Sequence, residues 1–77
     1  MVQAYILIQT EVGRSRGVSD AVAQLDGVTA ADEVTGPYDV IVRIEADSVE
    51  GLGRLVIAKV QEVAGITRTL TCTVVHG

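Results

Sequence analysis

Val2, Ala4, Ile6 and Ile8 occupy one set of alternating positions at the start of the chain, with Tyr5 and Leu7 in the other. Period-two alternation in a stretch rich in β-branched residues predicts a strand over 2–10. The period then changes. Val18, Ala21, Val22 and Leu25 recur at helical spacing, the stripe of an amphipathic helix, and Gly27 follows as a stop. Residues 28–34 read as a second strand. Gly36-Pro37 breaks it, and 38–46 reads as a third. Asp47 or Ser48 offers a cap for a second helix, whose inner stripe is Leu52, Leu55, Val56, Val60 and Val63. Gly65 closes that helix, and 66–75 is the last strand.

The second half repeats the first at an offset of 38 residues. Val2 matches Val40, Gly13 matches Gly51, Val18 matches Val56, Val22 matches Val60, Gly27 matches Gly65 and Thr29 matches Thr67. Matches holding one register from end to end indicate two copies of a strand–helix–strand unit. The predicted order is βαββαβ. The fold class is therefore α+β and ferredoxin-like, a four-stranded antiparallel sheet with both helices on one face. The Val2 row and its counterpart Val40, Val42 and Ile44 should lie under the helices. Tyr5, Leu7 and Ile41 then fall on the helix-free face. A face meant for water would be more polar, so a second copy of the chain is expected to cover it, sheet against sheet. Ile57 lies off the second helical stripe and reads equally as an isolated surface residue or a contact.

Composition narrows the function classes. The chain has 77 residues, room for one small domain. Domains of this size are marginal alone and often gain by oligomerising. Six basic against ten acidic residues give a net charge of −4, which argues against tracking phosphates. Aromatics are 3% of the chain, too few for stacking on single-stranded nucleic acid. With 48% hydrophobic residues the chain has ample surface to bury, so disorder is not expected. No apolar run approaches a membrane span and no secretory leader is evident, so a cytoplasmic protein is expected. A single cysteine excludes an intrachain disulfide.

No catalytic constellation stands out. Cys72 alternates with Leu70 and Val74 and reads as a buried, inert thiol of the core row. His76 sits beside the chain end without positioning neighbours, and no metal or cofactor set is indicated. Asp32 and Glu33 are adjacent in a strand, point to opposite faces and share no proton. Arg14 and Arg16 precede the first helix, where an anion could bind. Lacking a phosphate-loop spacing, they are better read as solubilising charge. Two features carry more. Gly36-Pro37-Tyr38-Asp39 forms the turn between the middle strands, where Asp39 either bonds local backbone or receives an ammonium group. Thr67, Thr69, Thr71 and Thr73 share one face of the last strand, either as a half-solvated surface or as a ladder of donors and acceptors.

Together these features resemble a known family. A Gly-x-Tyr-Asp turn before the third strand, then Gly65-Ile66 after the second helix and Thr69-Leu70-Thr71, is similar to the effector domain of the Lrp/AsnC transcription regulators, also called the RAM domain. The likeness covers essentially the whole chain. It implies a stand-alone effector domain over 1–77 without the family's helix-turn-helix. It also implies dimers through facing sheets, assembled into octamers or decamers, with an amino acid bound between neighbouring dimers. Gly36, Tyr38, Asp39, Thr69 and Thr71 are the ligand-binding residues the resemblance implies, and Pro37 occupies a variable position. A full-length Lrp/AsnC regulator is an implied partner, and direct nucleic-acid binding is not expected. Three alternatives stay open on the residues. One is a small ferredoxin-like monooxygenase or isomerase, although few acid/base or aromatic groups are present to line a pocket. The others are an ACT-type amino-acid-binding module, whose glycine pattern at a helix start is not evident, and a ligand-free assembly module.

Overall fold

The computed structural model describes residues 1–76, and all of their side chains except that of Leu55. The strands are β1 (Val2–Thr10), β2 (Val28–Glu33), β3 (Val40–Ala46) and β4 (Ile66–Thr73). The first helix, α1, is Ser15–Ala23. The second, α2, spans residues 49–61 and has an irregular middle, with α-helical Val49–Gly51, π-helical Leu52–Ile57 and α-helical Ala58–Gln61. The sheet order is β2-β3-β1-β4, and every neighbouring pair is antiparallel. This is the ferredoxin-like βαββαβ arrangement. Among the described residues no helix is long and apolar enough to cross a membrane.

The core lies where the alternation puts it. Ala4, Ile6 and Ile8 of β1 and Val40, Val42 and Ile44 of β3 are fully buried, and Val18, Val22, Leu52, Val56 and Val60 cover them from the helices. Register explains the order: Ile6 stands opposite Val42 and Ile8 opposite Val40, so the two central strands present one continuous aliphatic row.

Several details depart from the sequence expectation. α1 stops at Ala23, and Gly27 (φ +90°) shapes the following turn instead of ending the helix. That turn is closed by Leu25 N–H to the Val22 carbonyl at 3.1 Å and Val28 N–H to the Leu25 carbonyl at 3.2 Å. The stripe is also rotated: Ala21 is exposed and Ser19 is buried at 9% exposure. In α2 the cap is Ser48, whose Oγ accepts from Gly51 N–H at 3.0 Å. Ile57 packs against the core although it lies off the expected stripe. The equivalent residue of α1, Ser19, is buried as well, so this position faces the core in both copies. Leu55, expected on the inner stripe, lies outside the described side chains.

The largest correction is in β4. Leu70 stands opposite Leu7 and Cys72 opposite Tyr5, so both lie on the helix-free face. Leu70 is 47% exposed and Cys72 is an exposed free thiol, not a member of the core row. The row facing the helices is Thr69, Thr71 and Thr73, opposite Ile8, Ile6 and Ala4. Apolar character had suggested the core side, but β4 is an edge strand and its apolar row joins that of Tyr5 and Leu7.

The internal repeat is visible in the sheet. β2 pairs with β3 with one extra residue, Thr29, and β4 pairs with β1 with one extra residue, Thr67. These β-bulges occupy equivalent repeat positions. Each threonine hydroxyl donates across the strand at 3.2 Å, Thr29 to the Arg43 carbonyl and Thr67 to the Gln9 carbonyl. The bulge takes Thr67 out of the regular threonine row, and it lets Ile66 pack against the core.

Candidate functional site

The turn between β2 and β3 is built from residues 34–39. Val34 N–H donates to the Asp39 carbonyl at 2.9 Å and closes the loop. Gly36 adopts φ +142°, a conformation that disfavours any side chain. The loop is anchored to β1 at three points. Asp39 N–H donates to the Ile8 carbonyl at 2.8 Å. Gln9 Nε2 donates to the Pro37 carbonyl at 2.9 Å. Thr10 N–H donates to Asp39 Oδ2 at 2.8 Å, with the Thr10 hydroxyl at 3.4 Å from the same oxygen.

The Asp39 carboxylate is therefore bonded to structure, but not to its own turn. It accepts from the end of β1, at the point where the β1–β4 register shifts. Both contacts fall on Oδ2, so Oδ1 is left to face other groups. Asp39 and Tyr38 are half-buried, and Gly36 is exposed. Beside the loop lies a shallow open depression lined by Glu33, Val34 and Thr35.

Thr69 and Thr71 reach the same end of the sheet from the other side. Thr69 and Thr71 are both half-buried. The Thr69 hydroxyl accepts from Gln61 Nε2 at 3.4 Å. Val40 and Thr69 flank Ile8 on either side. Two strand spacings separate them, roughly 10 Å. The turn and the threonines are thus brought to one end of the molecule without meeting in a single closed pocket. Gln9 bridges the interval, its side chain bonded to Pro37 and its carbonyl to Thr67. Neither Gln9 nor Thr10 stands out in the sequence. Only the pairing of β1 with both neighbours assigns them this role.

The helix-free face holds Tyr5, Leu7 and Ile41 as expected, together with Leu70 and Cys72. The Arg43 guanidinium sits 5.6 Å from the Tyr5 ring centre. At one end of the face Arg43 donates to Gln3 Oε1 at 3.0 Å, and Gln3 donates to Glu45 at 2.8 Å. The other charged candidates serve structure. Ser15 donates to Glu33 at 2.6 Å, tying the start of α1 to the end of β2. Arg14 pairs with Glu11 at 3.8 Å with both side chains largely exposed, a contact worth little on its own. His76 is exposed beyond the end of β4. Among the described residues no cluster of three or more His, Cys, Asp or Glu could hold a metal ion.

Known proteins resemble this chain in sequence and in fold. Residues 3–76 match the family described as Lrp/AsnC ligand binding domain. An uncharacterized HTH-type transcriptional regulator of Pyrococcus horikoshii is 32% identical over 88% of this chain and 47% of its own length. The chain thus spans about half the length of the curated relatives it matches. A solved protein from Thermus thermophilus superposes with a TM-score of 0.90 at 30% identity, covering 100% of this chain and 96% of that one. At 17% identity, a Neisseria meningitidis transcriptional regulator solved as a complex with L-Met shares the fold, with a TM-score of 0.81 over 97% of this chain and 50% of that one.

Proposed function

The chain belongs to the Lrp/AsnC ligand binding domain family, a family of regulator domains and not of enzymes, and from that premise we propose that it is an oligomeric sensor of a free amino acid. Two copies pack their helix-free faces together through Tyr5, Leu7, Ile41 and Leu70. Dimers associate at the end of the sheet that carries the 34–39 turn. The ligand sits between the turn of one chain, with Gly36, Tyr38 and Asp39, and the Thr69–Thr71 strand of a neighbour. A second chain supplies what the gap of roughly 10 Å within one chain denies to a small ligand. The regulatory output passes to a full-length member of the family in a mixed assembly.

The observation that carries this reading is the state of Asp39. Its carboxylate is fixed through Oδ2 by Thr10 while Oδ1 remains available. A carboxylate held by one oxygen is oriented in advance for an ammonium group at the other. The L-Met complex of the Neisseria regulator supports the choice of an amino acid.

Calorimetry against the common amino acids tests the proposal, with Asp39→Asn as the decisive variant. Asparagine can still accept from Thr10 N–H but presents an amide where the free oxygen was. Loss of a charge-assisted hydrogen bond should weaken binding about ten- to a hundredfold, with the melting temperature little changed. Thr71→Val should weaken it less, because a neutral hydroxyl is removed at similar volume. Unchanged affinity in Asp39→Asn, or no heat with any amino acid, overturns the assignment.

A further inference from the structure

A second concavity lies at the opposite end of β3 from Asp39. It is a cleft of about 620 Å³ between the turn after α1, the end of β3 and the π-helical part of α2. That volume is within the range of small-molecule sites, about 300–1,000 Å³. Leu25, Gly27, Ala46 and Val56 form an apolar floor, and Asp26, Glu45 and Lys59 stand around it. The charges are not equivalent. Glu45 already accepts from Gln3 on the helix-free face. Asp26 and Lys59 form no ion pair or side-chain hydrogen bond among the described residues. One carboxylate on the α1–β2 turn and one ammonium on α2 are thus left on different walls, with apolar surface between them.

The repeat explains why the cleft is open. Gly27 and Gly65 are equivalent, and each packs against the helix valine of the other copy, Gly27 against Val56 and Gly65 against Val18. At Gly65 the site is also covered by Arg14, whose Cβ and Nε lie 3.3 and 3.5 Å from where a Cβ would stand. The residue equivalent to Arg14 in the second copy is Leu52, which is buried in the core. Among the described residues the atoms nearest that position at Gly27 belong to Val56 and to the Glu45 carbonyl, with no counterpart of Arg14 among them. The helix bordering this open side is the one that carries the π-helical turn, a feature often found at functional sites.

We propose that this cleft binds a short dipolar aliphatic ligand, such as an ω-amino acid or a dipeptide, with its carboxylate on Lys59 and its ammonium on Asp26. The aliphatic body lies on Leu25, Ala46 and Val56. A single charge of either sign would leave one of the two protein charges unmatched. Charges on separate walls also favour a ligand whose ends are separated over one whose charges share a carbon. This site does not depend on the amino-acid site at the turn.

The test uses the full chain with 6-aminohexanoate and leucyl-leucine as probes, measured by calorimetry. Hexanoate and hexylamine serve as one-charge controls. Asp26→Asn and Lys59→Gln leave the buried core untouched, and circular dichroism checks that each variant is folded. The expected result is saturable binding of a dipolar probe, weakened about tenfold by either variant and about tenfold in either control. No saturation by either probe up to about 10 mM overturns the proposal. So does equal binding by folded variants, or binding of a one-charge control as tight as that of the dipolar probe.

Discussion

Gly27→Ala is the substitution whose cost can be worked most directly from the structure. An alanine Cβ at this position would stand 2.5 Å from Val56 Cγ2, 3.4 Å from Val56 Cγ1 and 3.2 Å from the Glu45 carbonyl oxygen. Val56 is buried and cannot swing into solvent. Two costs combine. The left-handed φ of +90° disfavours alanine by about 1–2 kcal/mol. Forcing a methyl group into a packed contact costs about 1–3 kcal/mol. The sum is about 2–5 kcal/mol, a large part of the total stability of roughly 4–12 kcal/mol expected for a chain of this length. Gly13 provides the control. It has nearly the same φ, +81°, and nothing lies within 4 Å of where its Cβ would stand, so Gly13→Ala should cost only the conformational part, about 1–2 kcal/mol. The excess of Gly27→Ala over Gly13→Ala measures the packing clash. It should lower the melting temperature by roughly a further 5–20 °C, read by circular dichroism at a fixed protomer concentration. In a Val56→Ala background the closest atoms are gone, and the cost of Gly27→Ala should fall toward that of Gly13→Ala. If Gly27→Ala costs no more than Gly13→Ala, or if Val56→Ala fails to relieve it, the packing of the two repeats against each other is not as described.

Further substitutions test other parts of the structure. Asp39→Ala removes the acceptor for Thr10 N–H, and chemical denaturation should show a loss of about 1.5–3 kcal/mol, whereas Asp39→Asn should recover most of it. Equal stability of the parent and Asp39→Ala would deny the clamp on β1. Leu7→Asp places a carboxylate in the middle of the proposed sheet-to-sheet interface and should convert the oligomer to smaller species in light scattering. Cys72 lies on the same face, beside Tyr5, so thiol labelling should be slow in the parent and fast in Leu7→Asp; rapid labelling of the intact oligomer would show that the face is uncovered. Ser48→Ala removes the side-chain cap of α2, where α1 has none, and should cost about 0.5–2 kcal/mol by thermal denaturation.

How much was legible in the sequence depends on which force placed each residue. The rows of β1 and β3 read correctly because both central strands bury one face under helices, and burial writes a strict alternation. β4 misled because an edge strand half-covered by helices does not carry that signal, so Leu70 and Cys72 read as core when register puts them on the open face. The rotated stripe of α1 has a similar origin. A helix of nine residues offers too few turns for one exposed alanine and one buried serine to stand out. The turn at Gly36–Asp39 was visible as a chemical feature, but its anchors were not. Gln9 and Thr10 act through pairings with residues about 28–29 positions away, and no local pattern encodes such a contact. Nothing in the residue pattern marks the π-helical turn either, since Leu52, Val56 and Val60 keep ordinary helical spacing across it.

The duplication accounts for where the candidate sites lie. Two equal copies would bury the same residues and leave the same surfaces twice, so any site particular to one end must come from a departure between them. Three departures among the described residues bear on the candidate sites. Pairing is offset by four residues: Val28 stands opposite Ile44, and the equivalent Ile66 stands opposite Thr10 where Ile6 would be the symmetric partner. That offset places the bulge of β4 beside Thr10, whose N–H then finds Asp39 and not a strand neighbour. The second departure is the replacement of Arg14 by Leu52 at the equivalent position, which covers one glycine and leaves the other beside a cleft. The third is the π-helical turn in α2, which α1 lacks. The core is built mostly of residues the copies share, and the candidate sites lie at its two ends, so loss of binding at either end need not unfold the chain. Asp39 is the exception, because its carboxylate serves both the sheet and the proposed ligand. Only Asp39→Asn separates those two roles.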